Sequence, residues 1–355
     1  TFYRTSSEGK LGNPDLTWER ARKANAGFDI HLWNDKIHLT ADWFHESRND
    51  ILTNRSSVPV IVGASMPAYN LGRMVNWGFD GEINWFDRAG NVNYWVKATF
   101  TFARNRIRYM DEAEKRYAYQ ASTGQRYHQC FGLIADGFYN TWAEVNDPNR
   151  PVSMWNNNRI QPGDVKYKDV NGDGVIDSYD FVPIGYSDFP EISYGISFGG
   201  NWKGFDVSVL FQGASHVSFN ASKKSKRGFM EDGSAVSYLK DYSWTPERYE
   251  SGADIKFPHL SADAAQTHNY QNSTLWIRDA AYLRLKNVEI GYTLPAHIMR
   301  KIGLQSTRIY INGTNLATWS GLFPGEDPEI PTYSDSDYEP YPIMKTVNFG
   351  LSLSF

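Results

Sequence analysis

Apolar and polar residues alternate in segment after segment along this 355-residue chain, and a strict period of two marks a β-strand with two unlike faces. The clearest case is Lys345–Phe355. There Val347, Phe349, Leu351, Leu353 and Phe355 share one face, and Thr346, Asn348, Gly350, Ser352 and Ser354 share the other. The segments Ala24–Trp33, Ile37–Ile51, Asn76–Trp85, Asn93–Asn105, Ile192–Trp202, Phe205–Val217, Tyr282–Leu294 and Thr307–Leu316 read the same way, which makes about nine strands. Many reach the roughly 9 to 11 residues that cross an outer membrane when tilted. No apolar run approaches the roughly 20 residues of a membrane helix, but a barrel needs none, because its strands average out as polar.

The links between these segments alternate as well. Asn34–Lys36, Asp87–Asn91, Lys203-Gly204 and Pro295–Ser306 are short, whereas Thr53–Val75, Arg106–Glu191, Ser218–Ala281 and Ala317–Met344 are long and rich in Gly, Pro, Asn, Asp and Tyr. Tight turns at one end and extended loops at the other are the layout of an outer-membrane barrel. Hydrophilic loops of that size are uncommon inside a compact soluble domain. Asp29, Asp80, Glu82, Lys97 and Asp206 fall opposite the apolar stripes, a distribution that fits a wet or plugged lumen better than a dry core. Trp33, Trp43, Trp77, Trp85, Tyr94, Trp202 and Tyr292, near strand ends, fit interfacial girdles. An odd strand count predicts a further ascending strand upstream, so the expected fold is the C-terminal part of a larger antiparallel transmembrane β-barrel. A secreted β-sandwich with solvent-facing polar sides is the competing reading of the pattern.

Composition narrows the function. Thirty-six basic against 40 acidic residues leave a net charge of −4, too little positive charge for broad nucleic-acid binding. A lone cysteine, Cys130, excludes a disulfide framework and a Cys-rich zinc site. The start, Thr1-Phe-Tyr-Arg4, carries neither an initiator Met nor a signal-peptide pattern, so a processed precursor or an internal piece of a longer chain is expected.

The sharpest chemical motif is Asp169–Asp180. Asp169, Asn171, Asp173, the Val175 carbonyl, Asp177 and Asp180 occupy positions 1, 3, 5, 7, 9 and 12 of an EF-hand-type loop, with Gly174 at the sharp turn and Ile176 as the apolar anchor. Such crowded oxygen ligands predict a structural Ca²⁺, with Mg²⁺ also open because Asp at position 12 reaches less far than Glu; an acidic turn holding no metal is the alternative. Gly195-Ile-Ser-Phe-Gly199 matches a nucleophile-elbow pattern, but it lies mid-strand, so Ser197 is not expected to be catalytic. His45-Glu46 lacks the second His of a zinc helix, and Asn54-Arg-Ser56 is a glycosylation sequon in form only. The loops 132–155 and 242–276 are dense in Tyr, Trp, Asn, Asp and Arg, residues suited either to sugar or peptide recognition or to packing the loops together.

The chain resembles the SusC/RagA-type TonB-dependent outer-membrane transporters of Bacteroidetes. The resemblance is carried by Asn13–Glu19 with Asn25–Asp29, by Cys130–Phe138, by the acidic loop Asp169–Asp177, by Tyr282–Pro295 followed by Ile311–Leu316, and by the terminal Phe355. Cys130 departs from the aromatic or small residues usual at its position. The resemblance implies a barrel of about 22 strands, of which residues 1–355 would be the C-terminal part, with a plug domain, the remaining strands and the TonB-contacting segment upstream. It also implies residence in the bacterial outer membrane, contact with its lipid, a SusD-like lipoprotein over the external mouth, and active import of oligosaccharides or peptides without covalent chemistry. A passive porin or adhesin barrel and a secreted carbohydrate-binding β-protein are the other classes the pattern admits.

Overall fold

The computed structural model describes residues 11–58, 66–155, 159–221, 223–229, 233–263, 266–330 and 341–355; the chain start discussed above and parts of the loops lie outside them. Nine strands form one antiparallel sheet: β1 (Arg20–Leu32), β2 (Ile37–Asn54), β3 (Ala68–Ala89), β4 (Val92–Tyr109), β5 (Ile192–Trp202), β6 (Phe205–Ser215), β7 (Tyr282–Thr293), β8 (Ser306–Ser320) and β9 (Thr346–Ser354). They lie side by side in chain order, each hydrogen-bonded to the next, as short connections between antiparallel neighbours require.

Observed strands outrun the alternating segments, chiefly at the long-loop end. β3 covers Ala68–Ala89 where alternation marks only Asn76–Trp85, and β4 continues to Tyr109, β2 to Asn54 and β8 to Ser320. Outside a bilayer both faces of a hairpin meet water, so the pattern fades while the backbone ladder continues. At the opposite end the turns are tight. Lys203 and Gly204 both have positive φ, 46° and 91°, the two-residue hairpin turn whose twist matches its strands. A side chain at 204 would also meet the Thr293 carbonyl at 2.7 Å, which is why glycine stands there.

Among the described residues the apolar face has no second layer. Phe28, Phe79, Phe198, Ile290, Ile309 and Leu351 are all exposed on it, and no other sheet among the described residues stacks against the nine strands, so the sandwich reading is overturned. Side chains of this kind gain roughly 1.5 to 3 kcal/mol each when removed from water, so so broad an apolar belt requires an apolar solvent. Trp33, Trp85 and Trp202 are exposed near the tight turns. Tyr94 packs edge-on to Trp85 with ring centroids 5.5 Å apart, and Tyr292 packs on Phe205 at 4.4 Å. Trp43 and Trp77 sit farther along, toward the long loops, opposite Phe79 and His45.

The buried cores lie in the loops. Leu133, Val165, Tyr167 and Ile176 form one cluster, and Ala221, Tyr238, Leu239, Phe257, Trp276 and Phe323 another; Leu275 packs against both. The described residues of links 110–191, 216–281 and 321–330 therefore fold as one cap. Period-two reading missed the two-stranded ladders inside it: Phe131–Gly132 with Val182–Pro183, Ala135–Phe138 with Val165–Tyr167, Val152–Ser153 with Val175–Ile176, and Ser218–Asn220 with Ile277–Asp279. Such pieces are too short to show a period.

Candidate functional site

Strand register sorts the side chains into two walls. Ile30, Leu39, Ile83, Ala98, Ile196, Phe211 and Leu285 are successive cross-strand partners on the apolar face. One residue away, Asp29, Thr40, Glu82, Thr99, Gly195, Gln212 and Arg284 form the matching line on the polar face. Asp80, Lys97 and Asp206 share that face, as alternation requires. Asp206 does not stand alone there. Arg308 on β8 donates to it from Nε at 3.1 Å and also from Nη2, which reaches Glu289 at 2.7 Å.

The polar wall carries a latch at its long-loop end. Tyr282 and Arg284 on β7 face inward, and Lys286 occupies a β-bulge beside them. All three reach segment 321–330. Arg284 lies 2.6 Å from Asp327 and 3.1 Å from Glu329, Lys286 Nζ lies 2.9 Å from Glu329, and the Tyr282 hydroxyl meets the same carboxylate at 3.1 Å. Arg284 is only 2% exposed, so this is a desolvated ion pair that draws the segment against the wall. A cavity of about 700 Å³ opens beside it, lined by Thr99, Thr101, Ser193, Gln212, Tyr282 and Glu329. Alternation in Tyr282-Leu-Arg-Leu-Lys286 marks the basic side of β7, but nothing in the sequence pairs it with carboxylates some forty residues on.

A second buried network ties the loops together. Asp164, fully buried, receives Asn269 Nδ2 at 2.6 Å and Gln266 Nε2 at 3.2 Å, and His259 Nδ1 lies 3.1 Å away. His268 sits between Ser153 Oγ (2.8 Å) and the Val165 carbonyl (2.7 Å). Because a carbonyl only accepts, Nε2 carries a proton, while the Ser153 hydroxyl is shared between Nδ1 and the Trp155 carbonyl at 3.1 Å. Burial pushes the His268 pKa below its ordinary value, and Arg150 works the same way, against the Val165 carbonyl and Asp164. A depressed histidine contributes stability above its unfolded pKa of about 6.5 and loses it as the pH falls through the folded value. Amide protection of residues 266–276 in hydrogen exchange should therefore drop on acidification from pH 7.5 to 5, and His268→Gln should flatten that dependence.

Glu191, just ahead of β5, takes Arg104 at 2.9 and 2.7 Å and Arg126 at 2.5 Å. Burial alone would raise its carboxyl; the two guanidiniums outweigh burial and hold it below the ordinary carboxylate range.

The acidic loop folds around its own backbone. Asp169 accepts the Gly172 and Gly174 N–H groups at 2.7 and 2.8 Å, Asn171 accepts Asp173 N–H at 3.0 Å, Asp173 accepts Val175 N–H at 2.9 Å, and Asp177 accepts Tyr179 N–H at 2.6 Å. Asp180, fully buried, accepts the Val170 and Asp177 N–H groups at 2.7 and 3.0 Å. Burial pushes its carboxyl above the ordinary value, against those bonds. Val175–Ile176 runs parallel to Val152–Ser153; the Gly174 and Ile176 carbonyls take N–H groups of that neighbour, and the Val175 carbonyl lies between them. In this conformation the carboxylates turn to the loop's N–H groups, and among the described residues no three His, Cys, Asp or Glu side chains converge as a metal site.

Ser197 stands mid-strand opposite Lys97 and Leu210, not at a strand–helix turn. His45 pairs with Trp77 in the ladder, and Glu46 is held by Arg48 at 2.7 Å. Burial and nearby Asp188 push the Cys130 thiol up to about 11, so it is inert at neutral pH. Of the loop aromatics, Trp244, Trp276, Tyr139 and Tyr167 are buried in packing, whereas Trp142 is three-fifths exposed (60%).

A single meander with an apolar belt outside, charges inside and a folded cap at one end is the wall of an outer-membrane barrel. The chain belongs to the TonB dependent receptor-like β-barrel family, whose model matches residues 1–316. It is 26% identical to the TonB-dependent receptor SusC of Bacteroides thetaiotaomicron, over all of this chain and 34% of that protein. It is 25% identical to the TonB-dependent receptor P3 of Formosa agariphila, over 97% of this chain and 35% of the relative. A solved structure of the RagAB peptide transporter superposes with a TM-score of 0.71 at 22% identity, covering 97% of this chain and 36% of that one, and shows the shared fold. The chain thus spans about a third of the length of the relatives it matches.

Proposed function

We propose that this chain is the C-terminal wall and cap of an outer-membrane, TonB-dependent importer of oligosaccharides or peptides that works with a SusD-like lipoprotein. A plug domain, the remaining strands and the TonB contact would be supplied by the rest of the protein. The observation that carries this reading is the polar inner wall with segment 321–330 drawn against it by Arg284. A lumen narrowed in this way suits a gated path better than a permanently open pore. The membership of SusC in the same family, and a RagAB structure described as a peptide transporter, support it further. The test is uptake of labelled oligosaccharides and peptides by cells carrying the full-length protein and its neighbouring lipoprotein. Active import predicts that dissipating the proton gradient abolishes uptake. Uptake that survives a protonophore would make the barrel a porin.

The acidic loop is assigned to Ca²⁺, with Mg²⁺ as the alternative occupant, held by Asp169, Asn171, Asp173, the Val175 carbonyl, Asp177 and Asp180. Support comes from the ligand spacing, which sets oxygen-bearing side chains at alternate positions of the loop. A bound cation would offset the mutual repulsion of these carboxylates and pin the loop into the cap. Chelation should speed proteolysis within residues 110–191 while strand content stays nearly constant; identical cleavage with and without chelator would remove the metal.

A further inference from the structure

We propose that the periplasmic rim of the barrel carries a binding site for the headgroup of an anionic phospholipid. It lies where the β5–β6 turn, Lys203-Gly204, meets the β7–β8 turn, residues 294–305. The site needs only the barrel and its short-turn end, so it stands apart from the import reading.

The two turns are joined through the ladder. Thr293 donates its N–H to the Gly204 carbonyl at 2.8 Å, and Leu294 donates to the Thr307 carbonyl at 2.9 Å. The second turn then winds into a one-turn helix, Ala296–Met299, and a 3₁₀ turn, Arg300–Ile302, closed by Gly303 at a φ of +77°. The helix packs against β8 and buries Met299. Thr307, which faces outward opposite Leu353, is buried as well, so the turn covers the outer side of the wall at this edge. Next to it the lipid-facing belt ends in aromatic rings. Trp202 pairs with Phe205, Phe205 with Tyr292, and Tyr292 with Ile309, all facing outward. Trp202, Phe205 and Ile309 are exposed there, as is Ile298 on the helix.

Charge separates this stretch of rim from the rest. Lys203, His297, Arg300 and Lys301 are exposed, and none is paired with a carboxylate among the described residues. Neither turn contains an Asp or a Glu. Asp206, the first acid past Lys203, faces the lumen and is held by Arg308 at 3.1 Å, and Glu289 accepts from the same guanidinium. A carboxylate on Phe355 would stand on the far flank, where the Ser354 carbonyl takes the Gln305 N–H at 2.8 Å. The other two short turns are balanced: Asp35 and Asp87 offset Lys36 and Arg88, and Lys36 Nζ reaches Asp87 at 2.7 Å. Unpaired cations at the edge of an apolar belt attract acidic headgroups. Lys203 Nζ lies 5.2 Å from the Trp202 ring centroid, so a cation and an interfacial indole meet the lipid together. A phosphodiester would take Arg300 and Lys301 while its acyl chains follow Phe205 and Ile309. A zwitterionic headgroup would bring an ammonium to a rim with no carboxylate to receive it. An acidic peptide would leave the outward rings without apolar cover.

The test uses the full-length protein in detergent, with lipid adducts counted by native mass spectrometry. The probes are phosphatidylglycerol and cardiolipin, compared with phosphatidylethanolamine. An anionic lipid should form its first adduct at about a tenfold lower concentration than phosphatidylethanolamine. The double variant Arg300→Gln/Lys301→Gln should hold one anionic lipid fewer than the parent, and Lys203→Gln should weaken that adduct severalfold. Arg88→Gln removes an exposed cation from the same rim outside the site and should load like the parent. All these side chains are exposed on turns, so heat-modifiable barrel migration should stay unchanged. Equal loading with phosphatidylethanolamine, or variants of Lys203, Arg300 and Lys301 that load like the parent, would overturn the proposal. An Arg88 variant that loses as much lipid would reduce the effect to general rim charge and overturn it too. Displacement of the lipid by excess inorganic phosphate would make the turns a free-anion site, and displacement by penta-glutamate would make them a docking point for an acidic protein; either result rejects the lipid site.

Discussion

Arg284→Met should release segment 321–330 from the lumen wall. Methionine keeps the stem's volume and removes the charge, so Asp327 and Glu329 lose the guanidinium that faces both. Removing one partner of a desolvated ion pair costs about 3 to 5 kcal/mol, much of it the penalty of the stranded charge. The segment would then leave the wall and take its carboxylates to water. In cells carrying the full-length protein, proteinase K should cut within 321–330 far faster than in the parent, and sensitivity to bulky antibiotics should rise. Lys286→Met makes the contrast. Its ammonium is 30% exposed and shares Glu329 with Arg284, so its removal should cost no more than about 1 kcal/mol. Equal protease protection of the Arg284 variant and the parent would show that the latch holds nothing.

Val209→Arg and Ser208→Arg, adjacent in the middle of β6, should behave oppositely. Val209 faces outward between Phe198 and Val288, whereas Ser208 faces inward between Gly199 and Glu289. An arginine on the lipid side near mid-bilayer costs about 2 to 4 kcal/mol, and one beside Glu289 in a wet lumen costs little. Folded, heat-modifiable protein in the outer membrane should therefore fall sharply for the first variant and persist for the second. Equal yields would mean that the two faces do not meet different solvents.

Strand identity was legible because each barrel strand separates two solvents, and that demand is written at every second residue. Ile192–Trp202 came out with its observed limits. Asn76–Trp85 came out short, because Ala68–Val75 lies where no bilayer enforces alternation. The inward set Asp29, Asp80, Glu82, Lys97 and Asp206 followed from parity alone. Its partners did not: Arg308 meets Asp206 and Glu289 through the register of three strands, and the bulge at Lys286 shifts that register without a marker in the sequence. The cap was least legible. Its two-residue ladders carry no period, and Asp164, His268 and Trp276 become neighbours only once distant loops have met.

The meeting of those loops constrains how this barrel's preferences can change. Trp276 comes from one hairpin crown, Leu133 and Val165 from a second, and Phe323 from a third, yet they bury surface in touching clusters. Recombination that grafted a single crown from another transporter would leave its neighbours with mismatched interiors. New tastes should therefore be inherited as a matched set of crowns, while the staves beneath are exchanged freely.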